Sequence, residues 1–151
     1  TGQRPYVRVW MHNGTMQLAG EKMSKSLGNL VKVSELLAEG FTGNGLRLSM
    51  LAHRYRDDRD FDRDGLRQWE TRARMLEQAA RAQGGRQDHL KVQPYRNAFQ
   101  DAMDDDLDTP GAIQSLTEVA EQLLAGQMDA TTGAATLVEL GEVLGLRLRP
   151  E

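Results

Sequence analysis

The 151 residues contain no cysteine, which excludes disulfides and every thiolate-held metal site. No zinc is therefore expected on this chain. Aromatic residues are scarce, at 5%, and the apolar 39% is drawn mostly from Leu, Ala, Val and Met. That balance disfavours a β-sandwich and favours helices. No apolar run approaches the roughly 18–20 residues of a membrane span. No basic start followed by an apolar stretch and a small-residue cleavage site marks a signal peptide. A cytoplasmic protein with no membrane partner is the expectation. The first residue is Thr1 rather than Met, which reads as a processed, trimmed or excised piece, or equally as a chain whose start methionine was removed.

Charge is unevenly spread. Residues 1–60 hold nine Lys/Arg against six Asp/Glu, whereas residues 61–151 hold ten against sixteen. An anionic ligand would meet the basic front.

Residues 6–12, Tyr-Val-Arg-Val-Trp-Met-His, read as a strand, Asn13-Gly14 as a turn, and residues 15–18 as a second short strand. Residues 20–29 are polar and bounded by glycine, hence a loop. The period then turns helical. Ser34 can cap a short helix to Glu39, stopped by Gly40. Leu46, Met50 and His53, with Leu48 and Leu51 beside them, mark a helix over 44–55. Asp60 or Asp62 caps a long helix to about 82, with the stripe Leu66, Trp69, Ala73, Leu76 and Ala80. Residues 84–92 read as a linker around Gly84-Gly85. A helix over 94–103 starts at Pro94 and places Tyr95 and Phe99 on one face. Thr109 as N-cap with Pro110 at the first helical position starts the next helix, which runs to Leu124. Thr131 or Thr132 caps a last helix carrying Leu137, Val138, Leu140, Val143 and Leu144, stopped by Gly145.

The sharpest chemistry lies in Gly20-Glu21-Lys22-Met23-Ser24-Lys25-Ser26-Leu27-Gly28-Asn29. Two ammonium groups three residues apart can follow charge as it develops on a leaving pyrophosphate. Serine hydroxyls and exposed backbone N–H groups add donors, and flanking glycines permit closure. Lys22, Met23, Ser24, Lys25 and Ser26 are the candidate ATP-binding residues, with Mg accompanying the nucleotide. Arg54 and Arg56 are candidate RNA contacts. They alternate with Asp57 and Asp58, a pattern equally at home on a salt-bridged surface. Asp104, Asp105, Asp106 and Asp108 lack EF-hand spacing and fit helix capping better than cation binding. His53 and Trp69 read as structural, Trp69 as core.

The ten-residue stretch carries the Lys-Met-Ser-Lys-Ser signature and resembles that of class I aminoacyl-tRNA synthetases. Trp10-Met11-His12-Asn13-Gly14 before it, His53-Arg54-Tyr55-Arg56 after it, and Met103-Asp104-Asp105-Asp106-Leu107-Asp108-Thr109-Pro110 further on resemble landmarks of the cysteinyl-tRNA synthetase family. A second relative looks nearly as similar: the cysteine ligase of mycothiol synthesis, which shares the loop and the Asp105–Pro110 segment. The resemblance implies a mainly α fold. A remnant strand and signature loop would occupy 1–30, stem-contact-type helices 31–83, and a helical bundle 93–151. It also implies what the chain lacks. The family's His-x-Gly-His-type nucleotide motif and thiol-gripping zinc site are not found, and His12, His53 and His89 lie far apart.

The expected protein is a truncated cysteinyl-tRNA synthetase-like chain or fragment. It would supply an ATP-contacting loop and a tRNA-contact region without independent aminoacylation. A fragment of a mycothiol-type ligase, or a non-catalytic tRNA- or protein-interaction module, are the alternatives. A lone front strand leaves backbone and apolar groups unpaired, so a missing N-terminal catalytic half, or self-association through residues 5–18, is the expected partner.

Overall fold

The computed structural model describes residues 2, 4–84 and 91–149, so the expected linker lies largely outside the described residues. The chain forms two units. The first comprises residues 1–30 with Tyr55–Phe61, and the second comprises Val31–Arg54 with the chain from Asp62 onward.

The first unit is built on three short strands, β1 (Met16–Leu18), β2 (Glu21–Lys22) and β3 (Arg59–Asp60), in the order β2-β1-β3. β1 and β2 pair antiparallel, with Gln17 opposite Lys22 and Leu18 opposite Glu21. Ala19 and Gly20 between them both have positive φ, 55° and 78°. That is the primed two-residue turn whose twist matches a hairpin. β3 adds in parallel to the other edge, with Met16 opposite Arg59.

Two expectations fail here. Residues 6–12 form no strand, and Asn13-Gly14 is not the hairpin turn. The sheet is nucleated one segment later, where β1 finds partners on both sides. A strand over 6–12 would have none, and an unpaired strand is not stable alone. Tyr6, Val9 and Trp10 stand 84%, 81% and 73% exposed. Lys22 sits on β2 rather than in open loop. β3 had no signal in the sequence, since Arg59-Asp60 continues a run of alternating charge.

The second unit is helical: α1 (Val33–Ala38), α2 (Gly43–Leu51), α3 (Arg63–Ala80), α4 (Gln93–Asp104), α5 (Thr109–Leu124) and α6 (Ala130–Val143). The apolar spacing on α5 is realised, because Ile113, Leu116, Val119, Ala120 and Leu123 are all buried. With Leu76 of α3, Phe99 of α4 and Leu137 of α6 they form one core. Each fully buried Leu contributes roughly 1.5–3 kcal/mol.

The caps differ from expectation on α1, α5 and α6, and α2 ends earlier than expected. α1 begins at Val33 after Lys32 without side-chain capping, so Ser34 is not its cap. Thr42 caps α2, its Oγ accepting Gly45 N–H at 3.0 Å. α2 ends at Leu51, leaving His53 beyond the helix, and Met50 is 52% exposed. α2 instead buries the face of Asn44, Gly45 and Leu48. Asp108, not Thr109, precedes α5, and Asp129 rather than a threonine caps α6 by accepting Thr132 N–H at 2.8 Å. Val143 faces outward, 62% exposed. Asp62 caps α3, accepting Asp64 N–H at 3.0 Å as expected. After the stop at Gly145, Leu146 and Leu148 alternate inward against the core while Arg147 and Arg149 point out.

Candidate functional site

The candidate nucleotide loop hangs from the β1–β2 hairpin, which is fastened by two aspartates of residues 55–61. Asp58 Oδ1 accepts the Thr15 backbone N–H at 2.6 Å and its hydroxyl at 2.7 Å. These bonds, the backbone one first, hold the Asp58 carboxyl below its ordinary pKa. Asp60 Oδ1 accepts Gly20 N–H at 2.8 Å, clamping the hairpin turn. Gly14 donates to Tyr55 C=O at 2.8 Å. Only glycine fits there, because a Cβ would lie 2.1 Å from the Asp57 carbonyl oxygen. Burial lowers the pKa of the partly buried Arg59. None of these Asp contacts could be assigned from sequence, where 57–60 read only as a charged surface.

Past β2 the chain closes on itself through Asn29. Its Oδ1 accepts Ser24 N–H at 2.8 Å and its Nδ2 donates to Lys22 C=O at 3.3 Å. Ser24 Oγ accepts Leu27 N–H at 3.3 Å and lies 3.2 Å from Ser26 Oγ. Gly28 has φ 65° and donates to Lys25 C=O at 3.3 Å, closing a turn over 25–28. Asn29 therefore fixes the loop's backbone while Lys22 and Lys25 stay exposed. Among the described residues neither ammonium group has a recorded carboxylate partner. Such a loop can present two cations and several hydroxyl and amide donors to one polyphosphate.

The two arginines singled out from sequence fall in different units. Arg56 lies with its guanidinium 4.8 Å from the Tyr55 ring centre, a cation–π distance. Arg54 Nη2 pairs with Asp105 at 3.2 Å and Asp108 at 3.4 Å. The hydrogen bond to Asp105 and the nearby Asp108 charge raise its pKa. Thr109 Oγ donates to Leu51 C=O at 2.6 Å, satisfying one carbonyl at the open C-terminal end of α2. The acidic segment thus ties α5 to the end of α2. No cluster of three or more metal-ligating side chains occurs among the described residues. No described helix is long and apolar enough to cross a membrane.

The chain matches the family model described as tRNA synthetases class I (C) catalytic domain over residues 1–71, and the DALR domain over residues 98–149. It is 33% identical over 154 residues to a cysteine–tRNA ligase of Dehalococcoides mccartyi, covering 98% of this chain and 33% of that protein. It is 40% identical over 148 residues to one of Alkalilimnicola ehrlichii, covering 94% of this chain and 32% of that protein. It is 36% identical over 149 residues to an L-cysteine:1D-myo-inositol 2-amino-2-deoxy-alpha-D-glucopyranoside ligase of Salinispora arenicola, covering 98% of this chain and 35% of that protein. The chain thus matches the class I (C) catalytic-domain and DALR models, and its homologues over nearly the whole chain include both kinds of ligase. It spans about a third of the length of these curated relatives.

Proposed function

We propose that residues 1–151 supply the ATP-contacting loop and the helical tRNA-contact region of a cysteine-activating ligase, and do not activate cysteine unaided. The observation that carries the reading is the loop itself. Lys22 and Lys25 are exposed and unpaired with carboxylates among the described residues, on a backbone that Asn29 and Asp60 hold in place. In activation the cysteine carboxylate oxygen would attack the α-phosphorus of magnesium-bound ATP, forming the mixed anhydride as the bond to pyrophosphate breaks. Negative charge then grows on the departing oxygens, and Lys22 and Lys25 would stabilise it there, with Ser24, Ser26 and the Met23 backbone adding donors. Residues 31–83 would meet the acceptor RNA and residues 93–151 form the supporting bundle. The amino sugar named for the Salinispora relative is the alternative acceptor, favoured by a match as long as those to the cysteine–tRNA ligases.

The exposed Tyr6, Val9 and Trp10 are read as the surface that the remaining catalytic portion, or a second copy, would cover. Deleting residues 1–18 should then reduce association in analytical ultracentrifugation.

Calorimetric titration with ATP tests the loop. Lys22→Ala/Lys25→Ala should weaken binding roughly tenfold, from up to about 1 kcal/mol per exposed ionic contact. Unchanged ATP affinity would remove the loop's assigned role. Cysteine-dependent ATP–pyrophosphate exchange by this chain alone would contradict its dependence on further residues.

A further inference from the structure

Helix α3 carries Arg67, Arg74 and Arg81 seven residues apart, the last at its C-cap. Seven residues are nearly two turns, so the three side chains leave the helix along one line, about 10 Å apart at 1.5 Å per residue. All three are exposed. The carboxylates between them also serve α2. Glu70 Oε2 accepts Thr42 N–H at 2.9 Å and the Thr42 hydroxyl at 3.0 Å. Glu77 Oε1 accepts Asn44 Nδ2 at 2.6 Å. Both acids are drawn to the start of α2, and the arginines are left on the outer face.

What neutralisation remains is slight. Arg74 Nε meets Glu70 Oε1 at 3.2 Å, and Arg67 Nε stands 3.9 Å from a 97%-exposed Asp64. Arg81 has no ion pair recorded among the described residues. Two grooves flank the row. One of about 480 Å³ is lined by Arg67 and Arg74 with Phe41, Glu39 and Glu70, and one of about 700 Å³ by Arg81, Arg147 and Arg149 with Glu77 and Glu142. An ordinary solvated helix face would intersperse acids and bases along i,i+4 pairs. Here Glu70 and Glu77 each give an oxygen to the start of α2, and the three arginines form a linear array on the exposed face. A flexible or folded polyanion is the matching ligand, with guanidinium forks suited to phosphate oxygens.

We propose that Arg67, Arg74 and Arg81 form a contact row for the phosphodiester backbone of RNA. The proposal deepens the tRNA-contact reading and rests on it for the identity of the polyanion. It is tested with the whole chain and a fluorescein-labelled tRNA transcript, by anisotropy between about 50 and 200 mM salt. With three phosphates neutralised, log K should fall with log salt at a slope of about −2 to −3. Arg67→Gln/Arg74→Gln/Arg81→Gln should flatten that slope by about two and weaken binding at least tenfold at the lowest salt. Glutamine is as good a helix former as arginine. Arg81→Gln alone, at a position with no recorded ion pair, should lower the slope by about one.

A triple variant with wild-type melting behaviour and unchanged affinity and slope overturns the row, even if RNA binds elsewhere. Absence of RNA binding by the wild-type chain overturns both the row and the tRNA-contact reading. Lys22→Ala/Lys25→Ala should leave the slope contribution of the row intact, so a failed ATP loop and a failed arginine row give different results.

Discussion

Asn44 and Arg147, 103 residues apart, join as two strands would: Asn44 Oδ1 accepts the Arg147 N–H at 2.9 Å and Asn44 Nδ2 donates to the Arg147 C=O at 2.9 Å. One buried side-chain amide thus satisfies both backbone groups of the C-terminal segment and also donates to Glu77. The segment's inward leucines, Leu146 and Leu148, are held in register by that clasp.

Asn44→Ala should destabilise the helical unit by about 1–3 kcal/mol, because it leaves the Arg147 groups and Glu77 without partners. Thermal melting would measure the loss, and limited proteolysis should cut first near residues 145–149. Asn44→Asp should cost more than Asn44→Ala, since its carboxylate would face both the Arg147 carbonyl and Glu77. Equal melting temperatures for wild type and Asn44→Ala would refute the clasp.

Thr109→Val keeps the side-chain shape and removes the hydroxyl that serves Leu51 C=O. A loss of about 1 kcal/mol is expected, while Thr109→Ser should recover most of it. If serine does no better than valine, methyl packing rather than the hydrogen bond holds α5 to the end of α2.

Gly14→Ala puts a Cβ within 2.1 Å of a backbone oxygen, which no side-chain rotation relieves. The β1–β3 pairing should open, and the amide exchange of Arg59 and Phe61, donors to Thr15 and Gln17, should speed up by at least tenfold. The helical unit's melting should stay unchanged. Protected Arg59 and Phe61 amides in the alanine variant would count against this account.

Acid should loosen the front sheet through Asp58. Its folded pKa is lowered by the Thr15 bonds, so the stabilisation is complete above the unfolded value of about 3.9 and is lost as pH falls through the folded one. Glu139 follows the same sign, lowered chiefly by its hydrogen bonds to Arg96 at 2.6 and 2.9 Å. NMR titration of both carboxyl carbons should give midpoints below those of free Asp and Glu. Thr15→Val, which keeps the backbone donor and loses the hydroxyl, should move the Asp58 midpoint only part of the way back.

How much of this was readable beforehand varies by element. The long amphipathic helices α3 and α5 were, because their apolar spacing repeats over four or more turns and each burial adds to the last. Pro94 and the left-handed Gly40 and Gly145 marked ends correctly. The caps at Ser34, Thr109 and Thr131 or Thr132 did not follow: α1 and α5 start without a side-chain cap, and on α6 the neighbouring Asp129 takes the Thr132 N–H. The strand expected over 6–12 had the right composition but no partner, and pairing, not propensity, makes a strand.

The sequence by itself determined the helical class and most of the buried stripe, because these depend on neighbours a few residues away. Only the tertiary structure decided where the acids go: Asp58 and Asp60 to the hairpin, Glu70 and Glu77 to the start of α2, Asp105 and Asp108 to Arg54. A carboxylate takes whichever donor the folded chain brings within about 3 Å. That choice is made between groups far apart in the chain, as between Arg54 and Asp108, and no local pattern encodes it.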